Sequence, residues 1–230
     1  MSESTLVAKW LPLSRRTAMA LAMGAALFSS GASAQQPAPA APPAKEAAKP
    51  DDINQPGELS DIIVGKADAP VTIVEYASMT CPHCATFHKA VLPTLKTKYI
   101  DTGKVRLIFR EFPLDNLAAA ASMLARCAGG DKSAPLVATF FEKQEEWAFV
   151  KGSPLPALLK IAEPAGFTKE SFDKCLNDQN LLDGIVAVGE RGRRTFGVSS
   201  TPTFFINGVK LDGRSDQIAT FDKALEPLLK

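Results

Sequence analysis

Val71-Thr72-Ile73-Val74-Glu75-Tyr76 runs through Ala77-Ser78-Met79-Thr80 into Cys81-Pro82-His83-Cys84, and this stretch decides the fold. The first six residues are β-branched, aromatic or apolar apart from Glu75. Both alternating sets are largely apolar, which predicts a central strand covered on both faces. Proline is favoured at the first position of a helix, so a helix is expected from Pro82 to about Ile100 with Cys81 as its N-cap. Gly103 stands where such a helix would stop. Lys104-Val105-Arg106-Leu107-Ile108-Phe109 reads as the next strand. Strand, helix and strand within about 40 residues make a βαβ unit, and its two strands should run parallel.

Residues 114–197 carry no strand pattern. Asp115 can cap a helix that runs through an alanine-rich stretch to Cys127. Pro135–Trp147, Leu155–Ala162, Thr168–Leu176 and Leu181–Phe196 have apolar residues at helical spacing, parted by Gly and Pro. The segment reads as a helical insertion. Thr203-Phe204-Phe205-Ile206, Asn207-Gly208 and Val209-Lys210-Leu211 then form a β-hairpin, because Asn-Gly suits a two-residue turn. Ser215 is placed to cap a last helix through Ile218, Phe221, Leu225 and Leu228. The expected order is β-α-β, helical insert, β-β-α, an α/β fold.

The 230 residues hold 26 basic and 25 acidic side chains, and 46% are apolar. That supplies a real core and no general attraction to nucleic acid or anionic membrane. Arg191, Arg193 and Arg194 form the one basic cluster, read as the solvated end of a helix. Arg15-Arg16, an uncharged run from Ala18 to Phe28, and Ala32-Ser33-Ala34 match an export signal over residues 1–34. Ser14-Arg15-Arg16 hints at twin-arginine export, without the aromatic and lysine expected next. An ordinary secretory signal, or an uncleaved anchor that would tether the protein, are the other readings. Residues 35–57 are rich in Pro and Ala and read as an extended linker, so the folded domain is expected over 58–230, with its insert at about 114–197. Export would place the four cysteines outside the cytoplasm, where disulfides persist.

Two cysteines separated by two residues, after a buried strand and at a helix start, point to a redox dithiol. An N-cap sulfur lies near the free N–H groups of His83 and Cys84 and the positive end of the helix dipole, which favours thiolate at Cys81. His83 can add a positive charge beside it and is the residue expected to set the direction of the exchange. Cys84 lies one turn in, should keep its proton and act second. A stabilised Cys81 thiolate stabilises the reduced pair, which makes the disulfide the stronger oxidant. The competing readings are a structural disulfide, strained at this spacing; a c-type haem site, which would need His where Ala85 stands; and a zinc site, which would need two further ligands. His88 is the nearest candidate and reads as a surface or packing residue, so no metal and no cofactor are assigned. Glu75, a carboxylate within an apolar strand, can accept the Cys84 proton, or else it meets water at the strand end. A cis bond at Thr201-Pro202 would expose the Thr201 backbone to an extended peptide, although most X-Pro bonds are trans. Cys127 and Cys175 both fall on predicted insert helices. A structural disulfide between them, worth about 4 kcal/mol, is expected, with a second redox relay as the alternative.

Cys81-Pro82-His83-Cys84 after Val71–Tyr76, the run from Asp68-Ala69-Pro70, and Phe196-Gly197-Val198-Ser199-Ser200-Thr201-Pro202-Thr203-Phe204 resemble the DsbA family of periplasmic disulfide oxidoreductases. The resemblance covers about residues 59–230. It implies a thioredoxin-like fold with a helical insertion, Cys81 as exposed nucleophile, Cys84 as resolving cysteine, and Glu75 as the buried acid. It also implies a cis Pro202 facing the sulfurs, with Thr201 helping to bind substrate. Exported proteins with reduced cysteines would be the substrates, and a DsbB-type membrane quinone reductase the reoxidant. Thr before the proline also occurs in related isomerases; those carry an N-terminal dimerisation domain, for which residues 35–57 are too short, so a monomer is expected. An isomerase or reductase using the same pair, and a metal-binding periplasmic chaperone, are the alternatives.

Overall fold

The structure is a computed structural model that describes residues 53–230. The expected export signal and most of the expected linker lie outside these residues. Strand β1 (Ile62–Val64) is followed by β2 (Val71–Ala77), then a helical run, β3 (Val105–Glu111), the insert, β4 (Thr203–Ile206) and β5 (Val209–Lys210). The five strands lie in the order β1-β3-β2-β4-β5. β2 and β3 are parallel, with Val71 opposite Val105 and Glu75 opposite Phe109. β4 is antiparallel to β2 and sets Phe204 against Glu75. The βαβ reading therefore holds, and β2 is the central strand, buried at every position.

The first helical run comprises α1 (Pro82–Thr86), a π-helical turn (Phe87–Val91), α2 (Leu92–Leu95) and a second π turn (Lys96–Ile100). Pro93 lacks an N–H and interrupts the ladder where α2 starts, a known cause of irregular helix turns. The run covers one sheet face, where Val71, Ile73, Val105, Leu107 and Phe204 meet Phe87, Val91, Leu92 and Leu95. The insert consists of α3 (Asn116–Ala128), α4 (Ser133–Glu142), α5 (Gln144–Trp147), α6 (Leu155–Ala162), α7 (Lys169–Leu176) and α8 (Gln179–Phe196). Asp115 caps α3 and Asp178 caps α8 through hydrogen bonds from Ala118 and Leu181. Helix α8 packs on the other sheet face with Val74, Tyr76 and Phe205. Gly192 permits this approach: a Cβ there would stand 2.6 Å from the Tyr76 ring.

Several details depart from the sequence reading. β1 is absent from the expected order: three residues give too little alternation, and it forms as an antiparallel edge to β3. Ser215 does not cap the last helix; α9 (Ile218–Leu225) has Gln217 at its N-cap, and Leu228 falls in a separate 3-10 turn beside Pro227. In the basic cluster, Arg193 and Arg194 are exposed in the last turn of α8, as a solvated helix end requires, while Arg191 also donates to the Gln55 carbonyl at 2.9 Å. Residues 53–57, assigned to the linker by composition, belong to the folded unit, where Ile53 is buried.

Arg110 holds that segment. Its buried guanidinium grips Asp61 at 2.8 and 3.0 Å and donates to the carbonyls of Ile53 at 2.7 Å and Gln55 at 2.8 Å. A guanidinium suits this task because its donors form a rigid fork. Breaking a buried pair leaves the partner charge uncompensated. Arg110→Met is expected to lower the unfolding free energy in urea by about 3 kcal/mol and to speed amide exchange across 53–61. A loss below about 1 kcal/mol would show that other contacts hold the segment.

Candidate active site

The turn after β2 sets the nucleophile. The Cys81 N–H donates to the Ser78 carbonyl at 3.0 Å, and the Cys81 carbonyl accepts from the Ala85 N–H at 3.2 Å, which starts α1. Cys81 occupies the N-cap with extended backbone. Both Cys81 and Cys84 are free thiols and both are buried. The peptide Thr201-Pro202 is cis, and the Cys81 Sγ–H lies 3.3 Å from the Thr201 carbonyl that accepts it. His83 is exposed and lines a cleft of about 360 Å³ with Thr201, Pro202 and the loop Gly213–Asp216.

The two sulfurs have opposite acidities. Cys81 is lowered from 9.0 to about 5, chiefly because the Cys84 thiol hydrogen-bonds to its sulfur, helped by Thr201 and by the backbone N–H groups of Cys84 and His83, against an opposing burial effect. The Thr201 hydroxyl is buried with no other partner among the described residues and can donate to the thiolate. Cys84 is pushed up, first by burial, then by its bond to Cys81 and by the Glu75 charge. His83 acts on Cys81 through its backbone N–H. One sulfur is thus a ready nucleophile and the other a proton-bearing reserve.

Glu75 is fully buried, and its Oε2 lies 2.9 Å from Nε2 of His88. Of the two readings of His88, the surface one fails and the packing one holds: its side chain is 5% exposed and stacks on Phe141, and its Nε2 also forms an ion pair or hydrogen bond with the acid. The alternative in which Glu75 meets water at a strand end fails on the same burial. Cys127 and Cys175 form a disulfide between α3 and α7, 48 residues apart in sequence.

A family model described as thioredoxin matches residues 58–227. Among solved structures, Wolbachia pipientis alpha-DsbA1 superimposes with a TM-score of 0.72 at 32% identity, covering 79% of this chain and 96% of that one. The chain belongs to the DsbA family. A Rickettsia bellii protein, provisionally named a protein-disulfide oxidoreductase, is 36% identical over 169 residues; the match takes in 73% of this chain and 65% of that relative, so the chain spans just under two thirds of its length. BdbD from Bacillus subtilis, at 20% identity and a TM-score of 0.64, shares the fold. The thioredoxin-like fold with a helical insertion is therefore that of other DsbA-family proteins.

Gln144, at the start of α5, is a site residue that the sequence reading missed. Its buried Nε2 donates to the Met79 carbonyl at 2.8 Å and the Cys81 carbonyl at 3.0 Å. Thr80 is tied to the insert as well, donating to Asp115 at 2.7 Å. The insert thus grips the backbone on both sides of the nucleophile. A signal existed: Gln144 falls on the stripe of Val137, Phe140, Phe141 and Trp147, all buried. A polar residue on an apolar stripe is informative because burial of an amide requires partners.

The depressed Cys81 value has a definite pH signature. An acid whose pKa is lowered in the folded state contributes stability that is present above its unfolded pKa and lost as pH falls through the folded one. The reduced protein should therefore gain stability relative to the oxidised form at pH 8 and lose that gain by about pH 4. Thiolate absorbance at 240 nm of the reduced protein is expected to titrate with a midpoint of about 5 and to vanish in Cys81→Ser. A midpoint near that of an ordinary thiol would contradict the activation of Cys81.

Proposed function

We propose that the chain is an exported thiol oxidase that donates a disulfide to newly exported proteins. One observation carries this reading: two free cysteines stand at a helix N-terminus beside the cis Pro202, Cys81 at the N-cap with its pKa lowered and Cys84 buried behind it with its pKa raised. In the oxidised enzyme a substrate thiolate attacks Cys81, breaks the Cys81–Cys84 bond, and forms a mixed disulfide. Cys84 leaves and takes a proton. The second substrate thiolate then attacks the substrate sulfur of the mixed disulfide and releases Cys81 as a thiolate. One disulfide is made in the substrate and one is lost from the enzyme, a two-electron exchange.

The lowered Cys81 pKa supports the oxidising direction, because it favours release of the reduced enzyme. Each unit of thiolate stabilisation is worth about 1.4 kcal/mol, or about 30 mV for this couple. Thr201 and the cis Pro202 flank the sulfur where an extended peptide would lie. Glu75 handles the Cys84 proton, and His83 supplies an exposed polar rim to the substrate cleft. A DsbB-type membrane quinone reductase would restore the disulfide. The export signal over residues 1–34 supports a periplasmic location, and among the described residues no helix is long and apolar enough to cross a membrane. A monomer suffices for the chemistry, since both sulfurs come from one chain.

Cys84→Ser removes the resolving sulfur and should trap exported proteins on Cys81 as mixed disulfides, visible as adducts that collapse on reduction. Equilibration of the intact protein with glutathione should give a potential well above that of a reducing dithiol. Absence of adducts would sink the catalytic reading, and a thioredoxin-like potential would reverse the proposed direction.

A further inference from the structure

Dithiol chemistry at Cys81 and Cys84 leaves its resolving half with a difficulty, and the role inferred for His88 rests on that proposed function. Cys84 must lose a proton inside the protein before it can attack, and burial opposes this. Glu75 is the buried acid whose charge acts on Cys84. A carboxylate has two equivalent oxygens, and only a fixed one can serve as a reproducible proton acceptor. The structure distinguishes them. Oε2 is bonded to His88, and Oε1 is buried with no hydrogen-bond partner among the described residues.

His88 is itself held firmly. Its ring stacks on Phe141 of α4, with centroids 4.1 Å apart and planes 26° apart, and meets the edges of Phe87 and Phe109 at 5.3 and 6.5 Å. It stands four residues after Cys84 on the same helical run, in the π turn Phe87–Val91. Single π turns within helices recur at functional positions, where they re-aim side chains. Here the turn carries the imidazole that meets β2. The carboxylate it binds projects from the sheet face that this helical run covers.

We propose that His88 is a positioning residue for the Cys84 half of the reaction: its Nε2 pins Oε2 of Glu75, so that Oε1 is the atom that takes the Cys84 proton and later returns it. In the resolving step the Cys84 S–H proton passes through one bridging water to Oε1, because the thiol makes no direct hydrogen bond to that oxygen. The Cys84 thiolate attacks Cys81, the Cys81–Cys84 bond forms, and the bond from Cys81 to the partner sulfur breaks. The partner leaves as a thiolate; the two enzyme sulfurs are oxidised as the partner's disulfide is reduced. When a substrate opens the enzyme disulfide, the same oxygen gives the proton to the departing Cys84.

The test separates the two halves of the reaction. Reduced protein is mixed with excess oxidised glutathione, and acid-quenched samples report formation of the Cys81–glutathione adduct and its resolution by Cys84. His88→Phe keeps an aromatic ring against Phe141 and removes the bond to Glu75. It is expected to slow resolution about tenfold while adduct formation stays within about twofold of the unchanged protein. His88→Gln, which restores a donor, should recover most of the rate. Glu75→Gln should slow resolution as well, and adding His88→Phe to it should slow it no further. Resolution at the original rate in His88→Phe, equal slowing of both steps, or multiplying effects of the two substitutions would overturn the proposal. If His88→Phe does not fold, His88→Met gives the same comparison. Failure of the unchanged protein to form the adduct at all would strike the proposed function and not the role of His88.

Discussion

The contact between the two active sulfurs governs the site, because one proton shared unequally between them creates both a nucleophile and its successor. Cys84 can donate to Cys81 only while it keeps its proton, and its burial ensures that it does. The helix N-terminus adds the backbone N–H groups of His83 and Cys84 on the Cys81 side. A helix start, a proline at its first position and a buried second cysteine therefore form one constraint. Shifting the helix start by one residue would take Cys81 out of the N-cap and away from the N–H groups that stabilise its thiolate.

The remaining elements hold that constraint in place. β2 delivers the turn at Ser78–Cys81, β4 brings the Thr201 carbonyl to the sulfur, and the insert grips the turn through Gln144 and Asp115. The insert is thus more than a lid over the sheet. Its α4 also supplies Phe141, on which the His88 ring rests. The nucleophile's backbone and the acid behind the resolving cysteine are braced by the same helical segment, α4–α5.

The fold was largely legible in the sequence because each element announces itself locally: an apolar strand, a proline-started helix, capped insert helices and an Asn-Gly hairpin. The cysteine pair was legible for the same reason. What escaped depends on contacts between distant residues. β1 gains its strand character only from pairing with β3. Arg110 looks like an ordinary charge within a strand until Asp61 and two carbonyls converge on it. His88 and Gln144 both lie on apolar stripes, at Cys84, Phe87, Val91 and Leu95 for the first and at Val137, Phe140 and Trp147 for the second. The anomaly was visible in the spacing, while the partners that resolve it were not. The end of the linker was misplaced because composition describes Pro and Ala content and misses one isoleucine that reaches the core.

The Cys127–Cys175 bridge gives this molecule a circular history. Its two halves come from helices that meet only once the insert has closed, with Cys175 inside and Cys127 at the surface. A chain that makes disulfides for others, in its proposed role, would arrive outside the cytoplasm lacking one of its own. Its own bridge, closed across 48 residues between two insert helices, would then be a bond of the kind it makes for others.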